Sequence, residues 1–166
     1  MRIRWRGSRL IASLMGLACV ATLSACLGGT SAKLPAGTAA TKGPVTVTTN
    51  LSAFTANDAI GVTVSNNGSS DYYAVSGKSA CVIVQLERYS TTKKAWELVD
   101  ACPTRGTAQV YAITKNSQQP FTLAPTSSAD VNAWDAGLYR VTVTYSAKSD
   151  GVTNALQAQS AAFYVR

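Results

Sequence analysis

The chain carries four cysteines and no histidine, and those two facts bound most of the chemistry open to it. Without histidine there is no Ser-His-Asp or Cys-His arrangement and no His-containing metal site. Lys78 follows Ser76 too closely for a Ser-x-x-Lys pair. Gly28-Gly29 and Asn67-Gly68 lack the strand-to-helix context of a phosphate-binding loop. Carboxylates are few and isolated. Asp130 and Asp135 are the nearest pair on a loop, in the style of a glycosidase dyad or a calcium site, but single acidic residues in a loop are expected to be solvated. The sequence therefore points away from an enzyme, and no cofactor or metal site is expected.

The cysteines are informative through their positions. Arg2, Arg4, Arg6 and Arg9 precede an apolar run from Leu10 to Leu23, which is too short to span a bilayer and has the anatomy of a secretory signal. Cys19 lies inside that run. The run ends in Leu23-Ser24-Ala25-Cys26, which resembles the lipobox of bacterial lipoproteins. That resemblance implies that residues 1–25 are removed, that Cys26 is acylated, and that the mature chain is tied to a membrane outside the cytoplasm. Cys81 and Cys102 remain as an even pair in an oxidising compartment, so a disulfide is expected between them; two thiols alone do not complete a zinc tetrahedron.

Four of the fifteen basic residues belong to the leader, which leaves eleven Lys plus Arg against eight Asp plus Glu from Cys26 onward. Apart from Lys93-Lys94 these charges are scattered singly. Nucleic-acid binders present a basic patch or stripe, and none is visible.

Residues 26–43 are small, polar and rich in Gly, Ala, Ser and Thr, the composition of a flexible tether. From Pro44 the pattern becomes period two. Val45 and Val47 alternate with threonines, Ile60, Val62 and Val64 with Gly61, Thr63 and Ser65, and Val141, Val143 and Tyr145 with Thr142 and Thr144. Such alternation buries one face of a strand and leaves the other in water. Strands are predicted near 44–50, 58–66, 71–76, 79–89, 95–101, 107–114, 120–123, 137–147 and 155–165, separated by turn signals such as Asn66-Asn67-Gly68 and Ser149-Asp150-Gly151. The expected fold is all-β, an antiparallel sandwich of about 7–9 strands over residues 44–166. A hairpin centred on Thr91-Thr92 would set Cys81 opposite Cys102, Val84 opposite Val99 and Glu87 opposite Trp96, within disulfide reach for the cysteines.

Asp135-Ala136-Gly137-Leu138-Tyr139-Arg140-Val141 reads Asp-x-Gly-x-Tyr-x-apolar. It resembles the tyrosine corner of immunoglobulin-like domains, which implies structural roles for Asp135, Gly137 and Tyr139. Where antibody domains place a cysteine two residues after the Tyr, this chain has Val141. The wider layout over 44–166 looks like bacterial immunoglobulin-like lipoprotein domains, a fold that does not fix function.

For binding, the sequence offers Tyr72-Tyr73, of which one must face outward if the pair lies on a strand. It also offers Cys102-Pro103-Thr104-Arg105-Gly106, a short Pro-stiffened segment beside the expected disulfide. The reading that results is an anchored module for an envelope protein or glycan. The alternative is a protease inhibitor on an immunoglobulin-like scaffold, which would insert Pro103 and Arg105 into an active-site cleft.

Overall fold

A computed structural model describes residues 35, 37–76, 83–99, 108–125 and 132–166, all within one compact unit, Lys33–Arg166. Cys26, Cys81, Cys102, Pro103, Arg105 and Asp130 lie outside the described residues. Those residues form eleven β-strands and no helix.

The strands are β1 (Val45–Thr49), β2 (Ala53–Phe54), β3 (Ile60–Asn66), β4 (Tyr72–Val75), β5 (Val84–Ser90), β6 (Ala95–Val99), β7 (Val110–Ile113), β8 (Ser117–Leu123), β9 (Gly137–Ser146), β10 (Leu156–Gln159) and β11 (Phe163–Val165). They build a three-stranded sheet ordered β1-β3-β8 and an eight-stranded sheet organised around β9. One edge of β9 pairs with β11 and then β10, the other with β5 and then β4; β2, β6 and β7 flank β11, β5 and β4. Pairing is antiparallel except between β2 and β11.

Alternation decides which side chains meet. Val45 and Val47, Ile60, Val62 and Val64 from the smaller sheet join Val84, Leu86, Tyr139, Val141, Val143 and Tyr145 from the larger in a single buried cluster. Phe163 packs edge-on against Phe54 at 5.1 Å and stacks on Tyr139 at 6.1 Å, an addition to plain area burial that aromatic pairs supply. Trp134 also enters the core, donating from its ring nitrogen to the Asp58 carbonyl at 2.9 Å and from its backbone to Ala56 at 2.8 Å. At the far end, buried Asn66 donates to the carbonyls of Ser70 and Ile113 and accepts from Gly68 N–H. The Asn-Asn-Gly turn is thereby fixed, and the end of β3 is tied to β7 in the other sheet.

Besides the strand number, eleven among the described residues where about 7–9 were expected, three expectations need correction. The predicted strand at 155–165 is two strands. Ser160 interrupts it: the Val141 N–H is received by the Ser160 hydroxyl at 3.0 Å, and Ser160 N–H donates to the Val141 carbonyl, the local break in a ladder that marks a bulge. The β5–β6 hairpin is displaced by two residues. Val99 faces Leu86 rather than Val84, and Trp96 faces Tyr89 rather than Glu87. The loop has four residues, 91–94, and closes with Lys94 in the left-handed region at φ 53°; loop length sets hairpin register. A two-residue displacement keeps every side chain on its face, but it removes the pairing premise that set Cys81 opposite Cys102.

The third correction concerns the tether. Residues 37–43, expected to be its last part, include a docked strap. Ala162 N–H donates to Thr38 O at 2.8 Å, and Thr41 N–H donates to Gln159 O at 3.0 Å. The Thr41 hydroxyl receives Gln159 N–H at 2.6 Å. The unpaired edge left by the bulge supplies the partners that a Gly/Ala/Thr composition does not advertise.

Candidate functional site

The strap leads to the outward face of the larger sheet, where the most elaborate polar arrangement among the described residues is found. On β9, Tyr139, Val141 and Val143 point inward, so Leu138, Arg140 and Thr142 point outward. Arg140 stands directly opposite Glu87 of β5. Its Nε donates to Glu87 Oε2 at 2.6 Å, and both side chains are largely buried, at 11% and 16% exposure. The guanidinium carbon lies 4.4 Å from the centre of the Trp96 ring, a cation–π contact strengthened by partial desolvation.

Nη1 of the guanidinium is aimed at the strap. Arg140 donates to Gly37 O at 3.2 Å and to Gln159 Oε1 at 2.9 Å; Gln159 in turn donates from Nε2 to Gly37 O at 3.1 Å and Ala39 O at 2.8 Å. Gly37 has φ +78°, and a Cβ there would collide with the Arg140 guanidinium and crowd the Trp96 ring nitrogen. Glycine is required by both conformation and space. Glu87, Trp96, Arg140 and Gln159 thus form a latch that grips the chain through backbone carbonyls.

Beside the latch the outward face is apolar. Tyr164 on β11 opposes Leu138 on β9, while Tyr89 on β5 opposes Trp96 on β6, their rings edge-to-face at 5.4 Å. Leu98 opposes Glu87 one row further along. Tyr164 is 47% exposed and Leu98 54%. An outward strand face in water is ordinarily polar, so a row of this kind signals contact with something.

The segment 135–141 leads into the inner side of β9. The Tyr139 hydroxyl donates to the Asp135 carbonyl at 2.7 Å, and the side chain is 1% exposed. Burial, followed by the nearby Asp135 carboxylate, raises the Tyr139 pKa above its ordinary value, against an opposing pull from Arg88. The Asp135 carboxylate pairs with Arg88 at 2.6 Å, and Arg88 donates to Ala136 O at 2.9 Å. Gly137 lies under Arg88, whose Nε would sit 2.9 Å from any Cβ added there. Asp135 is therefore engaged in a surface ion pair.

Tyr72 and Tyr73 do not share one surface. Tyr72 turns inward with Ala74, packing edge-on against Tyr145 at 5.3 Å, and Tyr73 takes the outward side of β4. Three or more His, Cys, Asp or Glu side chains grouped to hold a metal do not occur among the described residues, and no described helix is long and apolar enough to cross a membrane. The latch was not legible beforehand. Its members come from four separate stretches, and Glu87, Arg140 and Gln159 look in sequence like single charges and amides on alternating strands. The one early signal is Gly37 in a run otherwise tolerant of any small residue.

No protein-family model and no curated protein matches the chain. Among solved structures it is similar to part of an alkylpurine DNA glycosylase of Pseudomonas fluorescens bound to DNA containing an abasic-site analogue, with TM-score 0.34 and 10% identity. That match covers 74% of this chain and 30% of the glycosylase. A β-glucosidase of Erythrobacter marinus gives TM-score 0.35 and 18% identity over 76% of this chain and 16% of the enzyme. The chain spans less than a third of either protein.

Proposed function

We propose that this chain is a binding module held outside the cytoplasm by a lipid on Cys26, built on an immunoglobulin-like β-sandwich. The observation that carries the reading is the latched strap. The last residues before the first strand are gripped through three backbone carbonyls, those of Gly37, Thr38 and Ala39, so the domain is mounted on its linker at a defined point. A mount serves a module that presents a surface to a protein or glycan of the envelope. The Tyr139 hydroxyl bonded to the Asp135 carbonyl, four residues upstream, supports the immunoglobulin-like part, since a tyrosine corner clamps the turn into its strand in this way.

The anchor is tested by feeding labelled palmitate to cells expressing the full chain. Label is expected in the wild type and absent from Cys26→Ala; an unlabelled wild type overturns the anchor. The binding half is tested by crosslinking the anchored protein in the intact envelope. A discrete, saturable adduct is expected, and no adduct at any exposed position overturns it. On this reading Cys81 and Cys102 form a disulfide, and Cys81→Ala lowers stability by about 2–4 kcal/mol; an unchanged denaturant midpoint overturns the bridge.

A further inference from the structure

We propose that the outward face of the larger sheet, carrying Tyr164, Leu138, Tyr89, Trp96 and Leu98, rests on the lipid surface to which the chain is anchored. The proposal depends on the acylation of Cys26. Ten residues, 27–36, separate that cysteine from Gly37. Ten residues reach at most about 35 Å, which bounds the distance from the acylated cysteine to Gly37. Gly37 is held on this face, against Arg140 and beside Trp96, so the face from which the chain departs is the one kept close to the lipid.

The chemistry of the face suits that position. Tyr and Trp concentrate at bilayer interfaces, where an apolar ring and a polar tip meet a boundary of the same character. Tyr164 and Leu98 are about half exposed. Two of the nearby cations are paired in place: Arg140 with Glu87, and Lys93 with Glu97 at 2.5 Å. The contact is therefore interfacial and apolar, added to an acyl anchor that holds the protein firmly when two or more chains are attached. The smaller sheet turns its outward face to the surroundings.

The test uses the full chain, processed and acylated, in vesicles of phosphatidylethanolamine and phosphatidylglycerol containing lipid brominated close to the headgroup. Co-sedimentation reads the anchor, and tryptophan quenching reads the face. Beyond the leader the tryptophans are Trp96 and Trp134, and Trp134 is buried in the core. Quenching is expected in the wild type and lost in Trp96→Phe. It is reduced in Tyr164→Ser/Leu98→Ser, which leaves the latch intact, and a reporter on the opposite sheet, Thr48→Trp, adds no quenched emission. Co-sedimentation with Trp96 unquenched, or with both faces quenched alike, overturns the resting face and leaves the anchor standing. Failure to co-sediment overturns the anchor and the resting face together.

Discussion

The two sheets share one core and differ on their outward sides. In the smaller sheet β1, β3 and β8 contain no charged residue; the outward positions Thr46, Thr48, Thr63, Gln118 and Thr122 are hydroxyls and amides that water serves as well as any protein group. The larger sheet spends its outward positions on a desolvated ion pair, a stacked guanidinium and an aromatic row, and it receives the strap. Inward, the two are alike, each contributing valines and other apolar side chains at period two. The inner faces hold the fold together, and the outer faces divide the labour between a plain solvated surface and a mounting point. Burial is what separates them: a charge at 11% exposure depends on its partner, whereas a threonine in water depends on nothing.

The contrast is broken most directly at the ion pair. Glu87→Ala leaves the Arg140 charge buried without its carboxylate and should cost about 3–5 kcal/mol, read as a shift in denaturant midpoint. A loss under 1 kcal/mol would show the pair to be solvated. Next comes the strap. Gly37→Ala forces a side chain into the left-handed region and against Arg140, a cost of about 1–2 kcal/mol. It should accelerate hydrogen exchange at Thr41 N–H while the strand amides of β1 and β3 keep their protection; unchanged exchange would mean that the latch does not hold the strap.

Smaller effects sharpen the picture. Tyr139→Phe removes the hydroxyl bond to Asp135 O and should lower stability by about 1 kcal/mol, and a neutral result would assign Tyr139 to packing alone. The same residue predicts a pH dependence. Burial raises the pKa values of Tyr139 and Tyr145, so the neutral phenols are favoured in the folded state. Their contribution is complete below the ordinary tyrosine pKa, near 10, and is lost as pH rises through the elevated folded values. Stability should fall on the alkaline side, less steeply in Tyr139→Phe; parallel curves would locate the titration elsewhere. Last, Thr63→Ala on the smaller sheet should change stability by less than about 0.5 kcal/mol, the counterpart of Glu87→Ala.

Much of the fold was readable from period-two alternation because burial on one side of a strand writes that pattern directly. The segments 45–49, 60–66, 72–75 and 137–146 are strands within a residue or two of expectation. Two-residue β2 escaped because so short a strand shows no alternation, and Trp134 escaped because its place in the core comes from carbonyls of a distant loop. The β5–β6 register slipped by two because a four-residue loop and a two-residue turn leave the same hydrophobic pattern on each face. The latch was less legible, because its four members lie on four different strands. Tyr72-Tyr73 follows a turn and must place one ring outward; packing against Tyr145 takes Tyr72 inward and leaves Tyr73 on the outward side.

By itself the sequence determined the all-β class, the strands of the core and, through the lack of histidine, which catalytic arrangements are closed to this chain. Those properties depend on composition and on spacing along one segment. The tertiary structure decided that Glu87, Trp96, Arg140 and Gln159 meet, that Gly37 lies beneath a guanidinium, and that a run composed like a free linker is docked where residues 37–41 follow the sheet. These depend on which strands are neighbours and in what register. Register is fixed by loop closure and by a bulge at Ser160, whose effects appear only when distant segments are brought side by side.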